Sequence, residues 1–259
     1  MSDTKFITQE ELSSYLKSLF RIEEYDDYGP NGLQIEGATK ISKMAFAVSA
    51  TAASIEEAVR SQAQALIVHH GLFWKFHGVR SITGTFAKRV KPLIQNDINL
   101  YGLHLPLDGH PLLGNAACIA RLIGLEQLSD FGLRGQVPTG IKGEFLKPIK
   151  ALDLKAKLEK VLSHNVLHSS PNDDQMVQSM GIITGGANSE WKLAQKEGLD
   201  CYLTGEMSEH DWNESQEGGV HMYAGGHHAT ERFGIQALME HLASRFEVEA
   251  IFIDSKNPA

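Results

Sequence analysis

Short apolar runs that close on polar clusters, separated by stretches of helical periodicity, constrain this chain more than any other feature. Ala65-Leu66-Ile67-Val68 closes on His69-His70-Gly71, residues 98–103 on His104, residues 200–203 on Thr204-Gly205-Glu206, and residues 220–224 on Gly225-Gly226-His227-His228. The run 65–68, apolar throughout, reads as a strand buried on both faces, as in a parallel sheet, and the other three stretches, which carry Asn99, Asp200 and His221, read as strands too. Further strands are expected at 33–35, 44–48, 144–149, 177–183 and 248–253. Between them lie helical patterns. Thr8 stands three residues before Glu11 as a capping box, followed by Leu12, Tyr15, Leu16, Leu19 and Phe20 at helical spacing. Ser54, three residues before Glu57, reads as the cap of a second helix. Helices are also expected at 85–94, with Pro92 as a kink, and at 115–123, 152–162, 189–197, 208–216 and 230–244.

The fold class that follows is α/β with mostly parallel strands, and its functional loops lie at the strands' carboxyl ends. A faint echo relates Leu66–His70 and Tyr101–His104 to Tyr202–Glu206 and Tyr223–His227. It suggests two α/β lobes. Residues 1–124 with 186–259 are read as the paired lobes that form the site, and 125–185 as a more variable middle portion.

At 259 residues, one or two domains are expected. No apolar run approaches the roughly 18 residues of a membrane span, and the start, MSDTKFITQEEL, lacks the basic region and apolar run of a signal peptide. The expectation is a cytoplasmic protein away from membranes. The 24 Lys and Arg against 32 Asp and Glu give a net charge of -8, which argues against a dedicated nucleic-acid binder. Cys118 and Cys201 are far apart and outside any CxxC pattern, so they read as buried reduced thiols.

Histidine is where chemistry is indicated, because the chain has 12 and crowds them at strand ends. Neighbouring residues of a regular strand point to opposite faces, so His69 and His70 can serve one site only if the strand has ended, which Gly71 permits. His104 to Asp108 reads as a loop, because Leu105 precedes Pro106 and is pushed out of the helical region. His227 and Glu231 share one face of a first helical turn, where a carboxylate also suits the positive helix end. Imidazoles and carboxylates without thiolates suit iron, manganese or zinc, and a carboxylate can bridge two ions. Thr184-Gly185-Gly186-Ala187-Asn188 is a weaker candidate for holding phosphate on its amides. The acidic stretch 206–217 reads as a solvated helix face, and His164 and His168 as surface or strand residues.

The stretches YGPNGLQIEG, LIVHHG, LYGLHLPLD, YLTGE and AGGHHATERFG, in this order and spacing, resemble the YbgI-like family of dinuclear-metal proteins, labelled GTP cyclohydrolase I type 2-like. The resemblance implies two α/β lobes facing each other across a metal-containing cleft, and a ring-shaped homohexamer. It implies that two divalent metal ions per chain are bound by His69, His70, Asp108, His227 and Glu231, with Glu231 or Asp108 as the bridge. His104 would orient Asp108 or join the ligands in some metal states, and Glu206 would be a general base or an acceptor beside a ligand. These two are the candidate catalytic residues. His228 would pack or touch substrate. The implied activity is a metal-dependent hydrolase for a small, nucleotide-like substrate. The alternative is a metal-binding chaperone or regulatory scaffold without turnover.

Overall fold

The computed structural model describes residues 5–259. The chain forms two compact units, one running through Leu107 and including Ile235–Lys256, the other comprising Asp108–Gly234 and Asn257–Ala259.

The first unit is built on a five-stranded sheet in the order Glu249–Phe252, Lys43–Ser49, Ala65–His70, Asn99–Gly102 and Gly32–Ile35. The first four strands are parallel and Gly32–Ile35 closes the edge antiparallel. Leu66, Val68, Leu100 and Ala45 join Ile55, Phe86, Val90 and Leu93 of the helices Ala52–Arg60 and Gly84–Gln95 in one buried cluster. Burial on both faces explains why 65–68 reads as an unbroken apolar run. The register pairs Ser49 with His70 and Val68 with Gly102, so the carboxyl ends of three neighbouring strands lie level.

The second unit has a six-stranded sheet in the order Leu125–Arg134, Val137–Lys150, Met176–Ile182, Cys201–Thr204, His221–Ala224 and Leu167–Ser169. Its parallel pairs join Met176–Ile182, Cys201–Thr204 and His221–Ala224, while the pairings outside them are antiparallel. The helices Asn115–Leu122 and Ala151–Leu162 contribute Ile119, Leu154 and Leu158 to the largest part of its core. Both units are thus mixed α/β: the first has four parallel strands and one antiparallel edge, and the second a parallel centre with antiparallel strands outside it. The expectation of mostly parallel strands holds for the first sheet alone. Residues 125–185 are not set apart: their strands belong to the same sheet as 201–224. Among the described residues no helix is long and apolar enough to cross a membrane.

Three local expectations are corrected. The cap of Ala52–Arg60 is Thr51, whose Oγ1 accepts the Ser54 N–H at 3.1 Å, while Ser54 returns the bond as the third helical residue. Thr51→Ala is therefore expected to lower stability by about 1 kcal/mol in urea unfolding. The hairpin Leu125–Arg134 with Val137–Lys150 replaces a single short strand at 144–149. Its signal is the period of two in Ile141, Gly143 and Phe145, buried between more exposed neighbours. Of the two cysteines, Cys201 is buried, with its thiol pushed well up by that burial, whereas Cys118 is only half-buried.

His168 lies on the edge strand Leu167–Ser169, stacked on Tyr223 at 4.3 Å with its Nε2 3.2 Å from His221 Nδ1. Burial first, and the neighbouring His221 second, push its pKa down to about 4. A histidine depressed in the fold is protonated first in the unfolded chain, so stability is full above about pH 6.5 and falls as pH drops toward 4. Chemical denaturation of metal-free protein is expected to lose about 2 kcal/mol across that window, given partial contact with solvent, and His168→Phe should flatten the loss.

Candidate metal centre

In the first unit, His69, His70 and His104 bring ligand atoms within 4.8 Å of one another. Both His69 and His70 lie at the carboxyl end of the strand Ala65–His70, where the sequence put them, although the strand continues through both rather than ending before they share a site. Their rings nevertheless come within 4.6 Å, because His70 is the last strand residue and the chain leaves the sheet at Gly71. His69 Nδ1 is 2.8 Å from the Leu103 carbonyl and His70 Nδ1 is 3.0 Å from Ser49 Oγ. The parallel register supplies both partners.

His104 Nδ1 lies 2.7 Å from Asp27 Oδ1. Asp27 is also the acceptor for Tyr28 N–H at 2.6 Å, Leu105 N–H at 2.9 Å and Asn31 Nδ2 at 2.8 Å. Burial alone would raise this carboxyl's pKa, but the bonds and charge from His104, with Asn31 and Tyr28, outweigh it and hold the group below the ordinary range. The residues Leu105–Asp108 form one helical turn rather than a loop, with Leu107 N–H on the His104 carbonyl at 2.9 Å. Proline is tolerated in a first turn, where its missing N–H needs no partner. Asp27 was invisible in the sequence, where 25–32 reads only as a turn.

In the second unit Asp108 is buried, and its Oδ1 accepts Asn115 Nδ2 at 2.9 Å and Thr184 Oγ1 at 3.2 Å. Asn115 is itself fixed by the Gly234 N–H at 2.7 Å. Glu231, also buried, offers a carboxylate oxygen within 4.8 Å of Asp108. His227 Nε2 lies 3.3 Å from Glu231 Oε2, as the spacing of four predicts, and its Nδ1 lies 2.5 Å from Glu206 Oε1. Burial disfavours charge on this ring, but Glu231 and then Glu206 overcome it and raise its pKa to about 9. His228 is buried, and its N–H donates to the Ala259 carbonyl at 2.8 Å.

In the glycine loop at 184–188 the first glycine amide is already engaged. Gly185 N–H donates to Thr230 Oγ1 at 3.2 Å, and the residue has φ +67°. A Cβ there would stand 2.2 Å from Glu231 Oε1 and 3.1 Å from His227 Nε2, so the loop is the wall against which these two side chains rest.

The donors of each unit suit divalent ions: three imidazoles in the first, and one imidazole with two buried carboxylates in the second, without a thiolate. The sequence profile of Duf34/NIF3 (NGG1p interacting factor 3) matches residues 7–258. The chain belongs to the Duf34/NIF3 family. Relatives of this Duf34/NIF3 chain include the "GTP cyclohydrolase 1 type 2 homolog" of Haemophilus influenzae, 42% identical over 96% of this chain and 98% of that one. The protein so named from Escherichia coli K12 is 41% identical over the same shares. Among solved structures, protein ybgI, titled as of unknown function, has a TM-score of 0.90 at 40% identity, covering 98% of this chain and all of that one. TTHA1606 from Thermus thermophilus has a TM-score of 0.88 at 33% identity over the same shares.

Proposed function

We propose that this Duf34/NIF3 chain is a metal-dependent hydrolase that holds a pair of divalent ions through His69, His70, Asp108, His227 and Glu231. The observation that carries the reading is shared by every histidine of the two units' donor sets. Each has its Nδ1 against a protein group: the Leu103 carbonyl, Ser49 Oγ, the Asp27 carboxylate and the Glu206 carboxylate. Histidines that ligate a metal characteristically commit their other nitrogen in this way, which supports ligation through Nε2 of His69, His70 and His227. When bound, such ions supply Lewis acidity and a water acidified toward neutrality.

The chain's own residues do the rest. Asn115 and Thr184 turn the Asp108 carboxylate, and Gly185 leaves room for Glu231. Glu206 holds His227 through one carboxylate oxygen, and its side chain is 53% exposed, so we assign it the general-base role at that surface. The name carried by the relatives supports a small, nucleotide-like substrate. The imidazole and carboxylate donors suit iron, manganese or zinc as the metal, and we further propose a cytoplasmic location and a homohexamer, whose mass light scattering would read.

The test is elemental analysis of freshly purified protein, followed by a hydrolysis screen on nucleotides with one and two equivalents of iron, manganese or zinc. Metal near two equivalents with turnover that requires the second supports the reading. Stoichiometric metal without turnover, and transfer of that metal to an apo acceptor protein, would replace it with a metal-handling role.

A further inference from the structure

The segment Asp26 to Gln34 supplies none of the five proposed ligands, yet its polar side chains are directed at the strand ends that carry them. Asp27 is only 4% exposed and makes four hydrogen bonds, to His104 Nδ1, Leu105 N–H, Tyr28 N–H and Asn31 Nδ2. Asn31 Oδ1 in turn accepts the His104 N–H at 2.8 Å. Gln34 accepts the Leu72 N–H at 2.9 Å, and Gly71 and Gly102 press so close to its side chain that a Cβ on either would stand within 2.5 Å of it. His104 is thus held twice, its main chain by Asn31 and its ring by Asp27.

The ring has little freedom to turn. Trp74 meets it edge-on at 5.0 Å and His69 lies at 5.1 Å between ring centroids. An ionised carboxylate only accepts hydrogen bonds, so the nitrogen facing Asp27 carries the proton. In the neutral ring the opposite nitrogen then presents a lone pair. A carboxylate behind a ligating imidazole fixes its tautomer and raises its basicity.

We infer that Asp27 is a positioning residue that locks His104 in the Nδ1–H tautomer and makes its Nε2 a sixth metal-ligating atom, beside His69 and His70. This deepens the metal-centre reading above and rests on it. The competing account is a buried aspartate that only ties down a turn, since three of its four bonds go to its own loop and to Leu105.

The experiment uses the full chain as wild type, Asp27→Asn, His104→Ala and the double variant, with zinc affinity measured by chelator competition. Asp27→Asn is expected to weaken zinc binding on the order of 10 to 100 fold. In the His104→Ala background the same substitution should add nothing, because residues that act through one another are not additive. A second reading, made on metal-free wild type and so independent of any variant's folding, is the nitrogen NMR signature of His104, which should show the proton on Nδ1. Equal losses in both backgrounds, unchanged affinity in Asp27→Asn, or an Nε2–H tautomer in the wild type would each overturn the inference. Wild type that binds no zinc overturns the metal centre itself. Wild type that binds zinc but never turns over removes only the hydrolase.

Discussion

Glu231→Gln is expected to remove most of the bound metal while leaving the fold in place. The amide is nearly isosteric, so the buried position and the contact with Gly185 survive. What disappears is the anion. Glu231 lies with its carboxylate 3.3 Å from His227 Nε2 and within 4.8 Å of an Asp108 oxygen, the spacing at which a carboxylate can serve a shared ion. A neutral amide is a poor partner for a divalent cation and cannot bridge two. Elemental analysis after dialysis should fall from about two equivalents to less than one, with the unfolding midpoint of metal-free protein little changed. Full retention of metal would remove Glu231 from the ligand set.

Gly185→Ala is expected to damage the same place from the other side. Two penalties coincide at this residue. Its φ of +67° costs a non-glycine residue about 1 to 2 kcal/mol, and its Cβ would stand 2.2 Å from Glu231 Oε1, far inside contact. Glu231 must therefore swing away or the loop must move. Gly198→Ala is the internal control, because Gly198 has φ +72° with nothing within 4 Å of the added carbon. Urea unfolding should show about 1 kcal/mol for Gly198→Ala and about 3 kcal/mol for Gly185→Ala, and only the latter should lose metal. Equal costs and equal metal content would show that the loop yields freely and that its glycine serves the backbone alone.

Much of the site was legible because its pieces are local. His69-His70 after an apolar run, and His227 four residues before Glu231, need only the periods of a strand and a helix to be placed. The mixed α/β class was legible for the same reason, as was the Thr8 capping box. Glu206 stands just beyond the end of Cys201–Thr204, as its sequence reading placed it, and its contact with His227 was not foreseen. The turn at Leu105–Asp108 was misjudged because the restriction that Pro106 places on Leu105 is only a preference. Here the Leu105 N–H is anchored on Asp27, and the turn forms.

By itself, the amino-acid sequence determined which segments are strands and helices in outline, and which imidazoles and carboxylates stand at strand ends. It did so because burial on both faces of a parallel strand, and on one face of a helix, leaves a periodic record in neighbouring residues. Only the tertiary structure decided what each of those groups leans on. Asp27 reaches His104 across 77 positions, Thr184 reaches Asp108 across 76, and Gly234 reaches Asn115 across 119. Such partners are chosen by sheet register and by loops packed side by side, and a single hydrogen bond between distant residues imposes no period on the chain that carries it.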